Sequence, residues 1–523
     1  MEAPSSYQQG SAGDVDRDVV GGRRRRILAW TWNLGAAADD HGGPGACCQA
    51  LPDGYDVYAF AVQECRSDAL LDRIAKVMSS RRCRRLALLR DRTWGRGDGA
   101  FVRPKFTGIA VYARDDRVRC LRSGSFSTGH LEGSKGGAGA LLDVDGVTVA
   151  IVGAHLASSS LDNRLRDAAT LCRAMARSLC GATDCELTHA VDHCIVMGDL
   201  NFRVQMPVDD ALAAVASNDL EALLERDELR HAMRAEQCFV DFAEPRIRFP
   251  PSYKLDPMRS LTGQRYAVES RPCWYKAGSG QPKVRVPSWC DRVLFTSRDL
   301  SSSVLIPVVS EGGRDLYAIH PADDLPVHTD HDCVYAGLEL IISPRQAPLS
   351  TTTTSWSSVV IDRILCSPNP DDPSFVVSTR VGIQPDRQGC VSFRTGALGE
   401  PVPVNVLPRS ASCLHLLIGV GLRSGQSASC HISVPVDDVH AQQQQQQQAQ
   451  VVRRALRRWG RTVTDSNGQP IIAAVEYRIL RDRSRSAEVA ASVDTRSVIK
   501  GTAGQGRSPS RRRCATMDPG PAG

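Results

Sequence analysis

No apolar run in the 523-residue sequence approaches the roughly 18 residues that a membrane-spanning helix needs, so any contact with a bilayer is expected to be peripheral. Residues 1–22 are polar and acidic, with neither an apolar core nor a cleavage pattern after Arg23-Arg24-Arg25-Arg26, and do not read as a secretory signal. No Cys stands four residues from the end, so prenylation is not encoded. The 18 Cys contain no Cys-x-x-Cys pair, and their scatter suggests neither a zinc ribbon nor a disulfide scaffold. An Asn-x-Ser/Thr sequon is missing as well. Both absences point to a reducing cytoplasm.

What is present is ordinary in bulk: 42% hydrophobic and 23% charged residues, as in a soluble globular protein. The formal charge of +6, from 64 basic against 58 acidic residues, suits an anionic ligand or membrane surface, although so small an excess is equally common without one. The length accommodates one large enzyme domain and an accessory module.

Between residues 27 and 342, short β-rich runs (27–32, 57–62, 108–113, 147–153, 194–198) alternate with stretches of helical period at 161–180 and 219–235. This series predicts an α/β (α+β) fold of two packed sheets flanked by helices. Residues 1–26 are expected to be a disordered N-terminal segment, 27–342 the catalytic domain and 343–358 a Ser/Thr-rich linker. Residues 359–500 carry short strands at 374–381, 390–394, 402–406 and 430–434, the spacing of a β-sandwich. That region includes a glutamine run at 442–448 and a basic amphipathic helix candidate at 451–459; a disordered basic tail, 501–523, follows.

Six motifs carry candidate chemistry, four of them at strand ends. Asn33 follows Thr31-Trp32 at the end of the first β run and can orient a water or a metal. Glu64, after Ala61-Val62-Gln63, offers the hard oxygen that Mg²⁺ prefers, although a solvated strand-end Glu is the ordinary explanation of such a residue. His155 ends another apolar strand, where a satisfied core His would be ordinary unless other polar groups converge on it. Asp199 and Asn201, in Gly198-Asp199-Leu200-Asn201, stand two apart, which points both side chains to one face: one can take a proton from water while the other holds the water or phosphate. Only seven Asn occur in the chain, and two stand in these motifs. Trp289-Cys290-Asp291-Arg292 and Asp330-His331 complete the set; a carboxylate on one His nitrogen would favour an imidazolium able to stabilise a phosphoryl oxygen.

In this order the motifs resemble the endonuclease/exonuclease/phosphatase superfamily, a four-layered α/β sandwich. Phe249-Pro250-Pro251-Ser252-Tyr253-Lys254 is similar to the Phe-x-Pro-Thr-Tyr-Lys signature of the inositol polyphosphate 5-phosphatases, and Lys283-Val284-Arg285-Val286-Pro287-Ser288-Trp289-Cys290-Asp291-Arg292 to their Lys-x-Arg-x-Pro-(Ser/Ala)-Trp-Cys-Asp-Arg signature. Ser134-Lys135-Gly136-Gly137 resembles their Asn-Lys-Gly-Gly loop. The resemblance covers about 27–340. It implies Mg²⁺ bound by Glu64 with Asn33 nearby, a water activated by Asp199 and placed by Asn201, and phosphoryl oxygens stabilised by His155 and His331, with Asp291 orienting His331 and Asp330 beside the metal. Tyr253, Lys254, Lys283 and Arg285 would contact a neighbouring 4-phosphate, and Lys135 joins them as a substrate-binding candidate.

The implied activity is Mg²⁺-dependent removal of the 5-phosphate from phosphoinositide lipids or soluble inositol phosphates, at a peripheral membrane surface and without nucleic acid. The chain lacks a Cys-x5-Arg loop, as Cys83, Cys172 and Cys180 illustrate, so a Cys nucleophile is not required. Three departures stand out: Ser252 for Thr, Ser134 for Asn, and Leu165 for Asn in Arg164-Leu165-Arg166-Asp167. The long segment before Lys283 carries Trp274-Tyr275 and is a candidate membrane-touching loop, while the cationic 94–105 segment reads as a solvated loop. The rival readings are a catalytically silent lipid-binding scaffold and a nuclease of the same superfamily.

Overall fold

The computed structural model describes residues 22–35, 51–91, 105–128, 135–181, 186–256, 265–267, 269–270, 283–298, 303–310, 313–320, 329–342, 356–367, 376–383, 392–396, 402–406, 413–422, 427–435 and 450–482. The expected glutamine run, basic tail, Trp274-Tyr275 loop and most of the expected N-terminal segment and linker lie outside these residues.

The strands of the N-terminal region are β1 (Arg23–Asn33), β2 (Val57–Cys65), β3 (Arg84–Asp91), β4 (Phe106–Ala113), β5 (Val118–Ser127), β6 (Gly136–Val144), β7 (Val147–His155), β8 (His193–Asp199), β9 (Glu269–Ser270), β10 (Lys283–Val284), β11 (Asp291–Ser297), β12 (Ser303–Pro307), β13 (Tyr317–His320) and β14 (Cys333–Ile342). Its helices are α1 (Ala69–Ser80), α2 (Leu161–Cys180), α3 (Leu187–Ala190), α4 (Val208–Ala216), α5 (Leu220–Leu224) and α6 (Glu228–Arg234). One sheet runs β12-β14-β1-β2-β4-β3 with β13 on β14, and a second runs β11-β8-β7-β6-β5. Within them β1/β2 and β7/β8 are parallel.

The two sheets face each other, and the period-2 alternation of their strands sorts side chains by size. Ile27, Ala29, Ala59, Ala61, Ile151 and Met197 point into the inter-sheet core. On the outer face of the first sheet, Trp30, Trp32, Tyr58 and Phe60 form a layer with Leu70, Leu71, Ile74 and Met78 of α1. On the outer face of the second, Ala150, Val152 and Val196 pack under Leu171, Met175 and Leu179 of α2. The result is the four-layered sandwich the sequence predicts.

Helix α2 has the predicted bounds because both ends are encoded. Ser160 accepts from the Asn163 N–H, and Gly181, at φ 66°, sends its N–H back to Ala176 and Arg177 carbonyls. The predicted 219–235 helix is instead two, α5 and α6, because Asp227 adopts an extended backbone and caps the second by accepting from Arg230 N–H. Strand β1 begins at Arg23, inside the segment expected to be disordered. Its arginines are drawn into order by carboxylates: Arg25 reaches Asp56 (3.1 Å), Asp115 (2.9 Å) and Asp145 (2.6 Å), tying loops of both sheets together.

The C-terminal strands are β15 (Trp356–Ser367), β16 (Val376–Ile383), β17 (Ser392–Gly396), β18 (Val402–Val406), β19 (Cys413–Leu422), β20 (Ser427–Pro435), β21 (Gln450–Ala455), β22 (Arg457–Arg458), β23 (Arg461–Thr462) and β24 (Ile472–Asp482). They form two sheets, β18-β15-β24-β21 and β17-β16-β19-β20-β22-β23. The 451–459 stretch expected to be a basic amphipathic helix is β21 and β22. The reason is pairing: Gln450 to Ala455 lie along β24 from Tyr477 to Ile472, so tertiary hydrogen bonding overrides a local pattern that would suit either period. No helix among the described residues is long and apolar enough to cross a membrane.

Gly198 shows how tightly the second sheet is built. It has φ 146°, and a Cβ there would lie 2.0 Å from the Ala154 carbonyl oxygen on β7. Gly198→Ala is expected to lower stability by roughly 2–3 kcal/mol in a chemical denaturation series; an unchanged midpoint would contradict the close approach.

Candidate functional site

Strand ends of both sheets converge: Asn33 ends β1, Glu64 stands at the end of β2, His155 ends β7, Asp199 ends β8 and Asp291 begins β11. The sequence expectations meet here. Asn33 Nδ2 donates to Asp199 Oδ2 at 2.7 Å, and its Oδ1 accepts from the Gly35 N–H at 2.9 Å. His155 Nε2 lies 3.3 Å from Asp199 Oδ2 and also contacts Lys135 Nζ. Asn201 N–H donates to Asp199 Oδ1 (3.0 Å) and its amide to the Leu156 carbonyl (3.0 Å). Asn201 takes a left-handed backbone, φ 61°, a conformation that Asn tolerates better than most residues.

On the other side, Asp291 Oδ2 accepts from His331 Nδ1 at 2.9 Å and from Ser252 Oγ at 2.7 Å. The Ser252-for-Thr departure therefore keeps the hydroxyl that the site uses. His331 Nε2 points towards Asp199 Oδ2, 4.0 Å away, and the Tyr253 ring lies 4.5 Å from the imidazole. Asp330 comes against the β1 turn, where a Cβ on Gly35 would sit 2.6 Å from its Oδ1, and its Oδ2 lies 3.9 Å from Lys254 Nζ. Arg285 brings a buried guanidinium Nε with no hydrogen-bond partner among the described residues. Lys283 is placed on β10, and its side chain lies outside what is described.

The electrostatics follow from burial. Desolvation alone would raise Asp199, but the hydrogen bond from His155 and the charges of His331, His155 and Lys135 outweigh it and hold the carboxyl well below the ordinary range. Glu64 is half-buried and desolvation would raise it too, yet Lys135, His155 and Lys105 bring it down to about 2. Burial would lower His331, but the charge and hydrogen bond of Asp291, with Asp199 and Asp330 behind, raise it to about 9. Both acids are thus anionic and His331 cationic at neutral pH.

Two residues were not singled out from sequence. Lys105, assigned there to a solvated loop, places Nζ 2.6 Å from Glu64 Oε2. It gets there because the β2–β4 register shifts between Val62 and Cys65, which turns Glu64, at φ 53°, towards the start of β4. Arg203 contacts Asn201 Oδ1 through Nη2 and stacks 4.4 Å above the Tyr253 ring, while its Nε and Nη1 are shut off from solvent without partners among the described residues. Its place two residues beyond Asn201 was the available signal. In the Arg164-to-Asp167 motif, Asp167 accepts from the Ala157 N–H (2.9 Å) and so shapes the turn after His155, while Arg164 pairs with Glu228 at 2.6 Å.

A divalent cation fits this donor set. Glu64 is a half-buried carboxylate ringed by cations, Asn33 Oδ1 and Asp199 are hard oxygens nearby, and such oxygens suit Mg²⁺ or Ca²⁺ rather than softer metals. Among the described residues, Asp199, Asp291 and His331 also hold ligand atoms within 4.8 Å of one another. Asp291 Oδ2 is already engaged by His331 and Ser252.

Residues 105–330 match the endonuclease/exonuclease/phosphatase family 2 model. Phosphatidylinositol 3,4,5-trisphosphate 5-phosphatase 2B of Danio rerio is 30% identical over 199 residues, 36% of this chain and 15% of that protein. Phosphatidylinositol 3,4,5-trisphosphate 5-phosphatase 1 of Homo sapiens is 29% identical over 227 residues, 42% of this chain and 18% of that protein. The matches thus span less than a fifth of these relatives. Among solved structures, the inositol polyphosphate 5-phosphatase domain of SPsynaptojanin, in complex with inositol (1,4)-bisphosphate and calcium ion, shares 19% identity, with 61% of this chain and 85% of that chain covered at a TM-score of 0.43. The family match and the sequence relatives bear out the resemblance read from the motifs.

The Asp291–His331 pair yields a prediction about charge. Because His331 is raised from about 6.5 to about 9 in the fold, the pair's stabilisation is fully present below pH ~6.5 and lost as pH rises through about 9. In Asp291→Asn the opposing carboxylate charge is gone and burial dominates, so NMR titration of the His331 imidazole should show its pKa falling well below 9; a value still near 9 would contradict the pairing.

Proposed function

We propose that this chain, whose residues 105–330 carry the endonuclease/exonuclease/phosphatase family 2 pattern, hydrolyses the 5-phosphate of phosphoinositides, namely phosphatidylinositol 4,5-bisphosphate and 3,4,5-trisphosphate, or of soluble inositol polyphosphates. The observation that carries the reading is the buried meeting of Asp199, Asn33, His155, Asn201 and the Asp291–His331 pair at the strand ends. The names of the relatives, both phosphatidylinositol 3,4,5-trisphosphate 5-phosphatases, support the substrate class.

In this mechanism a water attacks phosphorus in line. Asp199 accepts its hydrogen bond and finally its proton. A carboxyl held so far below neutrality is a weak base, so its main work is to orient the water and to receive the proton as the P–O bond forms. Asn201 is fixed by hydrogen bonds to Asp199, Leu156 and Arg203, which holds it in place to position the water. His331, cationic through Asp291, and Lys135, against His155, place positive charge where the phosphoryl oxygens gain negative charge. Glu64 and Asn33 would hold Mg²⁺, which would supply Lewis-acid stabilisation of developing negative charge. Tyr253, Lys254, Lys283 and Arg285 bind the adjacent 4-phosphate, with Tyr253 protonated because burial pushes it up to about 12. The substrate is met in the cytoplasm or at a membrane surface touched peripherally.

The test is phosphate release from phosphatidylinositol 4,5-bisphosphate, its 3,4,5-trisphosphate and inositol 1,4,5-trisphosphate, with Mg²⁺ or EDTA, for the wild type and Asp199→Ala. Release that needs Mg²⁺ and drops by about 10²- to 10⁴-fold in the variant is expected. Binding of the lipids without turnover would favour the silent scaffold, and nicking of plasmid DNA would favour a nuclease.

A further inference from the structure

The hairpin β22–β23 of the C-terminal region does not lie on the surface of the sandwich but in a seat built for it. Its turn, Trp459-Gly460, has both residues in the left-handed region, φ 52° and φ 73°, which suits a two-residue hairpin yet is unfavourable for a Trp. The N-terminal domain supplies the restraint. The buried Glu186 carboxylate accepts both turn amides, from Trp459 and from Gly460 (2.6 Å). The Trp459 ring is stacked by Arg458 (4.0 Å) and by Arg173 of α2 (4.8 Å), and it packs on the α2 core cluster. Arg457 and Thr462 both engage Glu236 Oε2, Arg457 reaches Asp241 at 3.5 Å, and Gly460 O accepts from Val240 N–H at 3.2 Å.

The contacts of Arg457, Thr462 and the Gly460 carbonyl fall on one loop, residues 236–244, which is itself strained: Glu236, Phe239 and Asp241 have φ of 53°, 48° and 71°. Its far end is part of the site's framework. Glu244 grips the fully buried Arg292 through Nε (2.7 Å) and Nη2 (2.5 Å) and also accepts from Tyr317 (2.8 Å). Arg292 Nη1 is held on Asp227 at 3.0 Å, and Arg292 is the chain neighbour of Asp291. The next residue after Asp227, Glu228, accepts the Arg203 N–H at 2.9 Å, two residues past Asn201.

We infer that the hairpin Arg457–Thr462 is an intramolecular positioning element of the candidate site: it fixes loop 236–244 and, through Glu244 and Arg292, sets Asp291 against His331. The catalytic consequence rests on the proposed phosphatase reading; the mechanical coupling does not. A C-terminal module fastened in this way is a working part of the enzyme rather than a tethered recruiting arm.

The experiment compares full-length wild type with Arg457→Met, Arg457→Lys and Trp459→Ala by hydrogen–deuterium exchange and steady-state kinetics. Arg457→Met and Trp459→Ala are expected to speed exchange in 457–462, 236–244 and 291–293 together, and to lower kcat by roughly ten- to a hundredfold with little change in KM. Arg457→Lys should recover part of both losses. The inference is overturned if the hairpin loosens while 236–244, 291–293 and kcat stay at wild-type values, or if neither Met nor Ala loosens it. If the wild type turns over no inositol phosphate, the phosphatase reading fails, and exchange at 291–293 alone decides the coupling.

Discussion

Everything at the site depends on mutual neutralisation of charges largely withdrawn from water. Asp199 is buried and Glu64 half-buried, in a region where an unpaired carboxylate is disfavoured as the anion. They remain anionic because His155, His331, Lys135 and Lys105 surround them. The converse also holds: His331 is cationic because Asp291 is fixed against it. Losing one member leaves a buried charge uncompensated, so the set stands or falls together. A group of this kind is preorganised for a substrate whose charge shifts during reaction, since little has to reorient when it does.

The sandwich makes that neutralisation possible by bringing strand ends of two sheets to one place. Small side chains between the sheets, such as Ala29, Ala59 and Ala61, allow close approach, while the large aromatics of β1 and β2 lie in the outer layer under α1. At Gly153 the approach is so close that a Cβ would lie 2.9 Å from that of Ala61, two residues before His155. Rigid strands thus carry Asn33, Glu64, His155 and Asp199, and the segments around Tyr253 and His331 arrive from loops.

Much of this was legible because strand-end chemistry leaves a compact trace. An apolar run followed by Asn33, Glu64, His155 or Asp199 marks a buried strand ending in a polar side chain, and the ends of the 161–180 helix are written in Ser160 and Gly181. What was not legible depends on pairing across the chain. Lys105 reads as one cation of a loop until a bulge in β2 turns Glu64 to it. Asp291 and His331 are forty residues apart, so their contact rested on the resemblance alone. The 451–459 stretch has an apolar and cationic pattern that a helix would accept, and β24 decided otherwise. The seat of Trp459-Gly460 on Glu186, 4% exposed, leaves no sequence pattern at all, since it joins residues more than 270 apart.

On the proposed reading, this cluster seats a divalent cation with Glu64 as its anionic anchor. Calorimetric titration of Mg²⁺ into wild type and Glu64→Gln tests it most directly. Saturable binding at one site in the wild type, abolished in a Glu64→Gln variant of unchanged thermal unfolding profile, is the predicted result. Equal binding by both proteins would place the metal elsewhere and contradict the account.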